Sequence, residues 1–317
     1  MRKKRVVHLL TSDKKSGGNV YEKYLQNLNL EYEFLIDKKV KNRVKKLFYF
    51  FYSLYKISKK EYSTIIRKSE SVFFMNKVQN NIVIFHHYYP APTNILVNVF
   101  QRLAHQNLLR NLDKIDTLVV VSQYWKEYFK NIGFNHTKII YNPFDIEEYF
   151  NCDDKKVEAF KVKYKLDKKP IVYLGNPQKS KGTDRSYEVL KDLDIHLVTS
   201  GHGELKLPIK NLNLSFQEYI LLLHASSLSI LMTQIEEGWN RVAHESILCK
   251  TPVIGTGRGG MGELLEKSGQ IVCSDFKHLK ELVEESLDNE LEVSREALMY
   301  VESFSLLKFY TEWKNIL

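Results

Sequence analysis

Between residues 228 and 255, two short apolar runs bracket a segment of helix length: Leu228-Ser229-Ile230-Leu231-Met232 and Pro252-Val253-Ile254-Gly255. Runs of this kind read as parallel strands buried on both faces, and a parallel pair needs a crossover helix between its members. The turn from Thr233 to Trp239 therefore sits at the carboxyl end of a strand, where open α/β sheets place their ligands. Asn240 is a suitable N-cap for a helix over 241–249. Such a helix leaves its first backbone N–H groups and its positive dipole end free for an anion such as a phosphate. Glu237 in the turn and Glu245 one and a half turns into the helix offer two carboxylates to one crevice at different depths. Taken alone, a spaced Glu pair is as readily explained as solvated charge.

The 317 residues exceed one ordinary core and suit two α/β domains, 1–150 and 151–317. The apolar fraction of 44% and charged fraction of 27% are those of a soluble globular protein. The three cysteines, Cys152, Cys249 and Cys273, have neither CxxC nor metal-type spacing, which suits plain thiols in a reducing compartment. The basic start, Met1 to Arg5, is followed by an apolar run only from Val6 to Leu10, too short for a signal peptide. No stretch approaches the ~18 apolar residues of a membrane span. The expected location is cytoplasmic, which leaves the Asn135-His136-Thr137 sequon without meaning.

The formal charge of +9 fits nucleic acid, an anionic membrane or an acidic small substrate. No zinc-finger or RNP signature accompanies it, so nucleic acid is not expected as a partner. The basic charge is concentrated in 38–60, which holds nine Lys or Arg and no acidic residue. Val40, Val44, Leu47, Phe48, Phe51, Leu54 and Tyr55 recur there at helical spacing, while Tyr49, Phe50 and Tyr52 fall off that stripe. Two readings stay open: an interfacial helix that brings the protein to the membrane face, or a packed helix with a solvated basic side.

Further strands are expected at 5–10, 33–36, 71–75, 82–85, 117–121, 138–141, 169–174, 195–199 and 212–216. Helices are expected at 96–112, after Ser122 as cap, and at 218–225 and 276–287, with an amphipathic tail over 294–317. Paired glycines, Gly17 and Gly18, follow Ser16 between the first strand and a helix, where they let backbone approach a ligand closely. His86 and His87 follow the strand ending at Phe85, without zinc-type partners. Gly175-Asn176-Pro177-Gln178-Lys179-Ser180-Lys181-Gly182 follows the strand at 169–174, and Asn142-Pro143-Phe144-Asp145 follows the one at 138–141.

Glu-x7-Glu, followed by Thr251-Pro252-Val253-Ile254-Gly255, Gly259-Gly260 and Glu263, resembles the retaining, nucleotide-sugar-dependent glycosyltransferases of the GT-B fold, family 4. The resemblance covers nearly the whole chain and is strongest from 170 to 265. It implies two Rossmann-like domains facing across a cleft, with donor on the second, acceptor on the first, and a terminal helix that crosses back to the first domain. By resemblance, Glu237 contacts the donor sugar and Glu245 holds the ribose hydroxyls. Gly238, Trp239, Asn240 and Arg241 line the donor site, and Gly17 and Gly18 face the donor phosphate. His87 faces the donor sugar and is a better match than His86.

In the family, Gly-Arg, four residues and Lys-Gly grip the diphosphate. Lys181 is in register, but Asn176 replaces the Arg with an uncharged amide. Lys179, Arg185, Arg241 and Arg258 are the candidates to restore that cation. Trp239 and Asn240 replace the usual Phe-Gly, and Lys250 stands at a helix end where glycine normally supplies φ > 0. The implied reaction is hexosyl or N-acetylhexosaminyl transfer with retention, independent of metal and cofactor. The acceptor would be a glycan or lipid-linked molecule in cell-surface polysaccharide or glycolipid synthesis. The rivals are a nucleotide-sugar-binding module that has lost transfer and a basic nucleic-acid-binding protein.

Overall fold

The computed structural model describes residues 5–9, 17–28, 32–36, 43–76, 80–89, 95–150 and 152–317. The chain divides into two units, Met1–Asn142 with Phe309–Leu317, and Pro143–Lys308. The division lies in the Asn142–Asp145 turn rather than near residue 150. Residues 143–150 belong to the second unit because the Phe144 N–H donates to the Phe304 carbonyl at 3.0 Å and Arg241 donates to the Pro143 carbonyl at 3.0 Å.

The first unit is built on six parallel strands: β1 (Arg5–Leu9), β2 (Tyr32–Ile36), β3 (Thr64–Lys68), β4 (Asn80–Phe85), β5 (Thr117–Val120) and β6 (Thr137–Ile139). They lie in the order β2-β1-β3-β4-β5-β6. Val83, Phe85, Leu118 and Val120 meet Trp125 and Phe129 of the helix Gln123–Asn131 in the core. The carboxyl-terminal residues complete this unit. The Trp313 indole N–H donates to the Tyr21 hydroxyl at 3.2 Å, and Phe309 stands edge-on to the Tyr21 ring.

One expected strand is misplaced. Residues 71–75 form no strand; Ser69–Ser71 is a 3-10 turn and Phe74 has φ 59. The sheet takes Thr64–Lys68 instead, where the sequence shows two successive basic residues after Ile66. Arg67 is buried there nonetheless, its Nη2 donating to Asn81 Oδ1 at 3.1 Å, and burial lowers its pKa to about 10. Ser122 stands at the N-cap position, but its hydroxyl makes no capping bond. In the helix Arg43–Ser58 the buried stripe is Phe50, Leu54 and Ile57, while Leu47, Phe48 and Tyr55 are exposed. Ser16, residues 38–42 and residues 90–93 lie outside the described residues.

The second unit also carries six parallel strands: β7 (Ile171–Tyr173), β8 (His196–Ser200), β9 (Lys210–Leu212), β10 (Leu228–Leu231), β11 (Val253–Gly255) and β12 (Ile271–Val272). Their order is β12-β11-β10-β7-β8-β9, the doubly wound Rossmann arrangement. Strand residues Val172, Leu228, Ile230 and Ile254 pack with Leu190, Leu279 and Val283 from the covering helices. The expected strand at 212–216 stops at Leu212, because Ser215 and Glu218 form a capping box that starts the helix Phe216–Ala225. The tail holds two helices, Arg295–Glu302 and Leu306–Lys314, separated where Ser305 bridges to Phe144.

Candidate functional site

In the second sheet the strand order reverses between β7 and β10, so the crevice at this switch point is lined by the segments that leave their carboxyl ends. These are residues 174–182 and 232–240. Gly182 brings them together. It adopts φ 68, and a Cβ on it would overlap the Met232 carbonyl oxygen. The Gln234 N–H donates to the Ser180 carbonyl at 2.8 Å, which adds a second tie. Lys181, next to both ties, forms an ion pair with Glu237. The Glu237 residue is buried, whereas the Lys181 side chain is one-third exposed.

Glu237 is held from the other side by the segment that leaves β11. The Gly260 N–H donates to the Glu237 carbonyl at 2.9 Å, and Gly259 bridges to Glu237 with φ 63. A side chain at 259 would overlap the Glu237 backbone, so the glycine is required for that approach. Gly238 and Trp239 then lead to Asn240, whose Oδ1 accepts from the Ala243 N–H at 3.1 Å and caps the helix Arg241–Leu248. The N-cap at the positive end of that helix thus lies three residues beyond Glu237.

Glu245, deeper in the same helix, already has donors on both oxygens. The Tyr219 hydroxyl donates to Oε2 at 2.9 Å and the Tyr149 hydroxyl to Oε1 at 3.3 Å, and Arg241 forms an ion pair with Oε1 at 3.2 Å. Burial, then the Glu245 charge, pushes both tyrosine pKa values up, which keeps the hydroxyls as donors. Neither tyrosine was identified from the sequence. Tyr219 had a signal: Ser215-x-x-Glu218 is a capping-box pattern that puts residue 219 in the first turns of a helix.

Trp239 is 3% exposed, and its indole does not line the crevice. It packs on Phe304 with ring centroids 5.1 Å apart, and its Nε1–H donates to His244 Nδ1 at 3.1 Å. His244 Nε2 faces the Val301 carbonyl at 3.0 Å, which requires a proton on Nε2 and a lone pair on Nδ1. The ring stacks on Phe144 at 3.8 Å. Burial, and then Arg241, hold its pKa well below the usual value. The Trp in place of Phe therefore serves a buried hydrogen bond.

Asn176 follows β7. A Cβ on Gly201 would stand 2.7 Å from its amide nitrogen, so the amide lies over that glycine. Lys179 is exposed, and its backbone N–H donates to Glu204 Oε1 at 2.9 Å. Of the candidate replacement cations, Arg241 is committed to Pro143, Glu245 and the Phe144 ring. Arg185 and Arg258 both reach Gln234, at 3.4 Å and 3.5 Å, and Gln234 is tied to Ser180. Arg185 also lies over the Phe276 ring at 3.9 Å, and Arg258 also pairs with Glu236 at 3.9 Å. Among the described residues no three His, Cys, Asp or Glu side chains are grouped as metal ligands.

No family model matches the chain. It is 27% identical over 191 residues to an uncharacterized glycosyltransferase, MJ1178, of Methanocaldococcus jannaschii, a stretch that covers 55% of the chain and 50% of that relative. The chain thus matches about half the length of this curated relative. Solved structures match nearly the whole chain, two of them as follows. HepE of Anabaena, in complex with UDP-glucose, superposes with a TM-score of 0.76 at 15% identity, over 98% of each chain. Sucrose-phosphate synthase of Thermosynechococcus elongatus gives 0.77 at 14%, over 99% of this chain and 98% of that one. The fold is GT-B.

The other expected site residues belong to the first unit. Gly17 and Gly18 open the helix Gly17–Gln26 that follows β1. His87 is exposed just beyond β4, whereas His86 is half-buried edge-on against Tyr21. Burial, followed by the charges of Lys68 and His87, lowers the His86 pKa to about 3, which keeps that ring neutral. Lys68, the last residue of β3, pairs with Glu22 of the first helix. No helix of the described residues is long and apolar enough to cross a membrane.

Proposed function

We propose that this GT-B chain transfers a hexosyl or N-acetylhexosaminyl group from a nucleoside diphosphate sugar, with retention and without a metal, to a glycan or lipid-linked acceptor. The reaction would belong to cell-surface polysaccharide or glycolipid synthesis. The observation that carries this reading is the Lys181–Glu237 pair at the switch point, with Glu237 four residues before the first residue of the capped helix Arg241–Leu248. The UDP-glucose in the HepE structure supports a nucleotide sugar as the donor class.

The donor diphosphate takes the Lys181 ammonium and the free N–H groups at the start of the helix. The bond between the anomeric carbon and the diphosphate oxygen breaks first. Negative charge then grows on the leaving group, where Lys181 and the helix dipole stabilise it, and the sugar becomes oxocarbenium-like. Glu237, released as Lys181 turns to phosphate, faces the developing positive charge. The acceptor oxygen bonds to the same face of the anomeric carbon, and its proton passes to the departing diphosphate. Glu245 accepts from the ribose hydroxyls alongside its tyrosine donors. Arg185 or Arg258, which both reach Gln234, would supply the charge that Asn176 lacks.

A thermal-shift panel of UDP, GDP, ADP and their sugars tests the reading. A ligand at ~100 times its Kd adds about 2.7 kcal/mol, and the nucleotide that stabilises the chain should also appear as product when its sugar form is supplied with acceptor. Stabilisation without donor hydrolysis or transfer would assign a binding module instead. No stabilisation by any nucleotide, with salt-dependent binding to nucleic acid, would overturn the reading altogether.

A further inference from the structure

We infer that the exposed side of the helix Arg43–Ser58, together with Phe74 and the neighbouring helix Ile95–Arg110, is a docking face for an anionic lipid bilayer. Of the nineteen large apolar side chains exposed among the described residues, ten lie on these two helices and Phe74. That concentration is far from the scattered single exposures of an ordinary surface. Because Phe50, Leu54 and Ile57 bury one side of the first helix, Phe48, Tyr52 and Tyr55 at i, i+4 and i+7 form a row on the other side. Phe48 and Tyr52 stack with their ring planes 7° apart, and Phe48 is 67% exposed.

Phe74 extends the row. Its ring lies 6.1 Å from that of Tyr55 and is half-exposed, while its backbone stands at φ 59, in the left-handed region that a bulky residue seldom occupies. A strained backbone that leaves half of an aromatic ring in solvent points to a role for that ring at a surface contact. Phe100 of the second helix packs on Phe50 at 6.1 Å and on Phe73 at 6.5 Å, so the two helices are neighbours. Val99 and Leu103, on either side of Phe100, are exposed and widen the apolar area.

Charge decides among occupants. Neither helix contains an acidic residue. Lys56 lies over the Tyr52 ring at 4.7 Å and Lys59 over the Tyr55 ring at 5.3 Å, so ammonium groups are interleaved with the aromatics. Interfacial helices have this composition: aromatic rings enter the headgroup boundary, while lysine stems lie along them with the charge at the phosphates. A second copy of the chain would bring two acid-free basic faces together, against their mutual repulsion.

Flotation of the full chain with vesicles tests the face without reference to donor chemistry. Vesicles of phosphatidylcholine with phosphatidylglycerol should carry the protein, phosphatidylcholine alone should carry at least about tenfold less, and salt should weaken the binding. The triple variant Phe48→Ser, Tyr52→Ser, Tyr55→Ser changes exposed positions, so its melting temperature should stay close to wild type while vesicle binding falls at least about tenfold. Lys56→Glu with Lys59→Glu should lose as much. Lys155→Glu with Lys156→Glu, which changes net charge equally on the second unit, should stay within about twofold. Failure of wild type to float, or equal flotation of face and control variants, overturns the proposal. So does a dimer in sedimentation that Phe48→Ser dissociates, or poly-glutamate binding to the face while vesicles are ignored.

Discussion

Lys181 and Glu237 stand 56 positions apart in the chain and form an ion pair where β7 and β10 end. In the proposed reaction a donor diphosphate would compete with Glu237 for the Lys181 ammonium. Lys181→Ala should therefore cost both nucleotide affinity and kcat, lowering kcat/KM at least about tenfold, since the contact strengthens as the leaving group gains charge. Glu237→Gln removes the competing charge, so free nucleoside diphosphate should bind as well as or better than to wild type while kcat falls about 100-fold. Calorimetry beside steady-state transfer separates the two. Loss of nucleotide binding in Glu237→Gln would mean that the two carboxylates have exchanged roles.

Tyr219 holds the other carboxylate at 2.9 Å. Tyr219→Phe leaves the ring packing and removes one donor from a buried charge, so stability to urea should fall by about 1–3 kcal/mol. Glu245→Ala should mainly weaken nucleotide binding and leave kcat nearly unchanged, because ribose contacts are alike in ground and transition states. Tyr219→Phe should move Kd in the same direction by less. An unchanged Kd in both variants would separate Glu245 from the nucleotide.

His244 makes stability depend on pH. Buried between Trp239, Phe144 and the Val301 carbonyl, the folded ring resists a second proton, and its pKa lies well below the ordinary value of about 6.5. Above that pH neither state is protonated and the fold keeps its full stability. As pH falls below it, the unfolded chain binds a proton that the folded chain refuses, and stability drops by about 1.4 kcal/mol per pH unit. His244→Gln can keep both hydrogen bonds without titrating. Urea unfolding between pH 7 and pH 5 should show a slope shallower by about one proton in this variant, and an equal slope would place the titration elsewhere.

The stretch from β10 to β11 was readable because its determinants are local. An apolar run, a turn, an N-cap and a second apolar run occupy neighbouring positions, and Asn240 caps the helix through its own third neighbour. β3 was not readable, because Arg67 and Lys68 look like surface charge until Asn81 and Glu22 are seen to satisfy them.

By itself, then, the sequence determined two parallel α/β units, the position of the Glu237 turn at a strand end and the helix that follows it, all of which depend on run length and capping over a few residues. Only the tertiary structure decided that Lys181 pairs with Glu237, that Tyr149 and Tyr219 hold Glu245, that Trp239 turns inward to His244, and that Phe48 and Tyr55 face outward while Phe50 is buried. In each case the deciding partner lies on another element. A hydrogen bond or a buried face between elements leaves no periodic trace in either segment, because it depends on where the sheet order and the helix packing bring them.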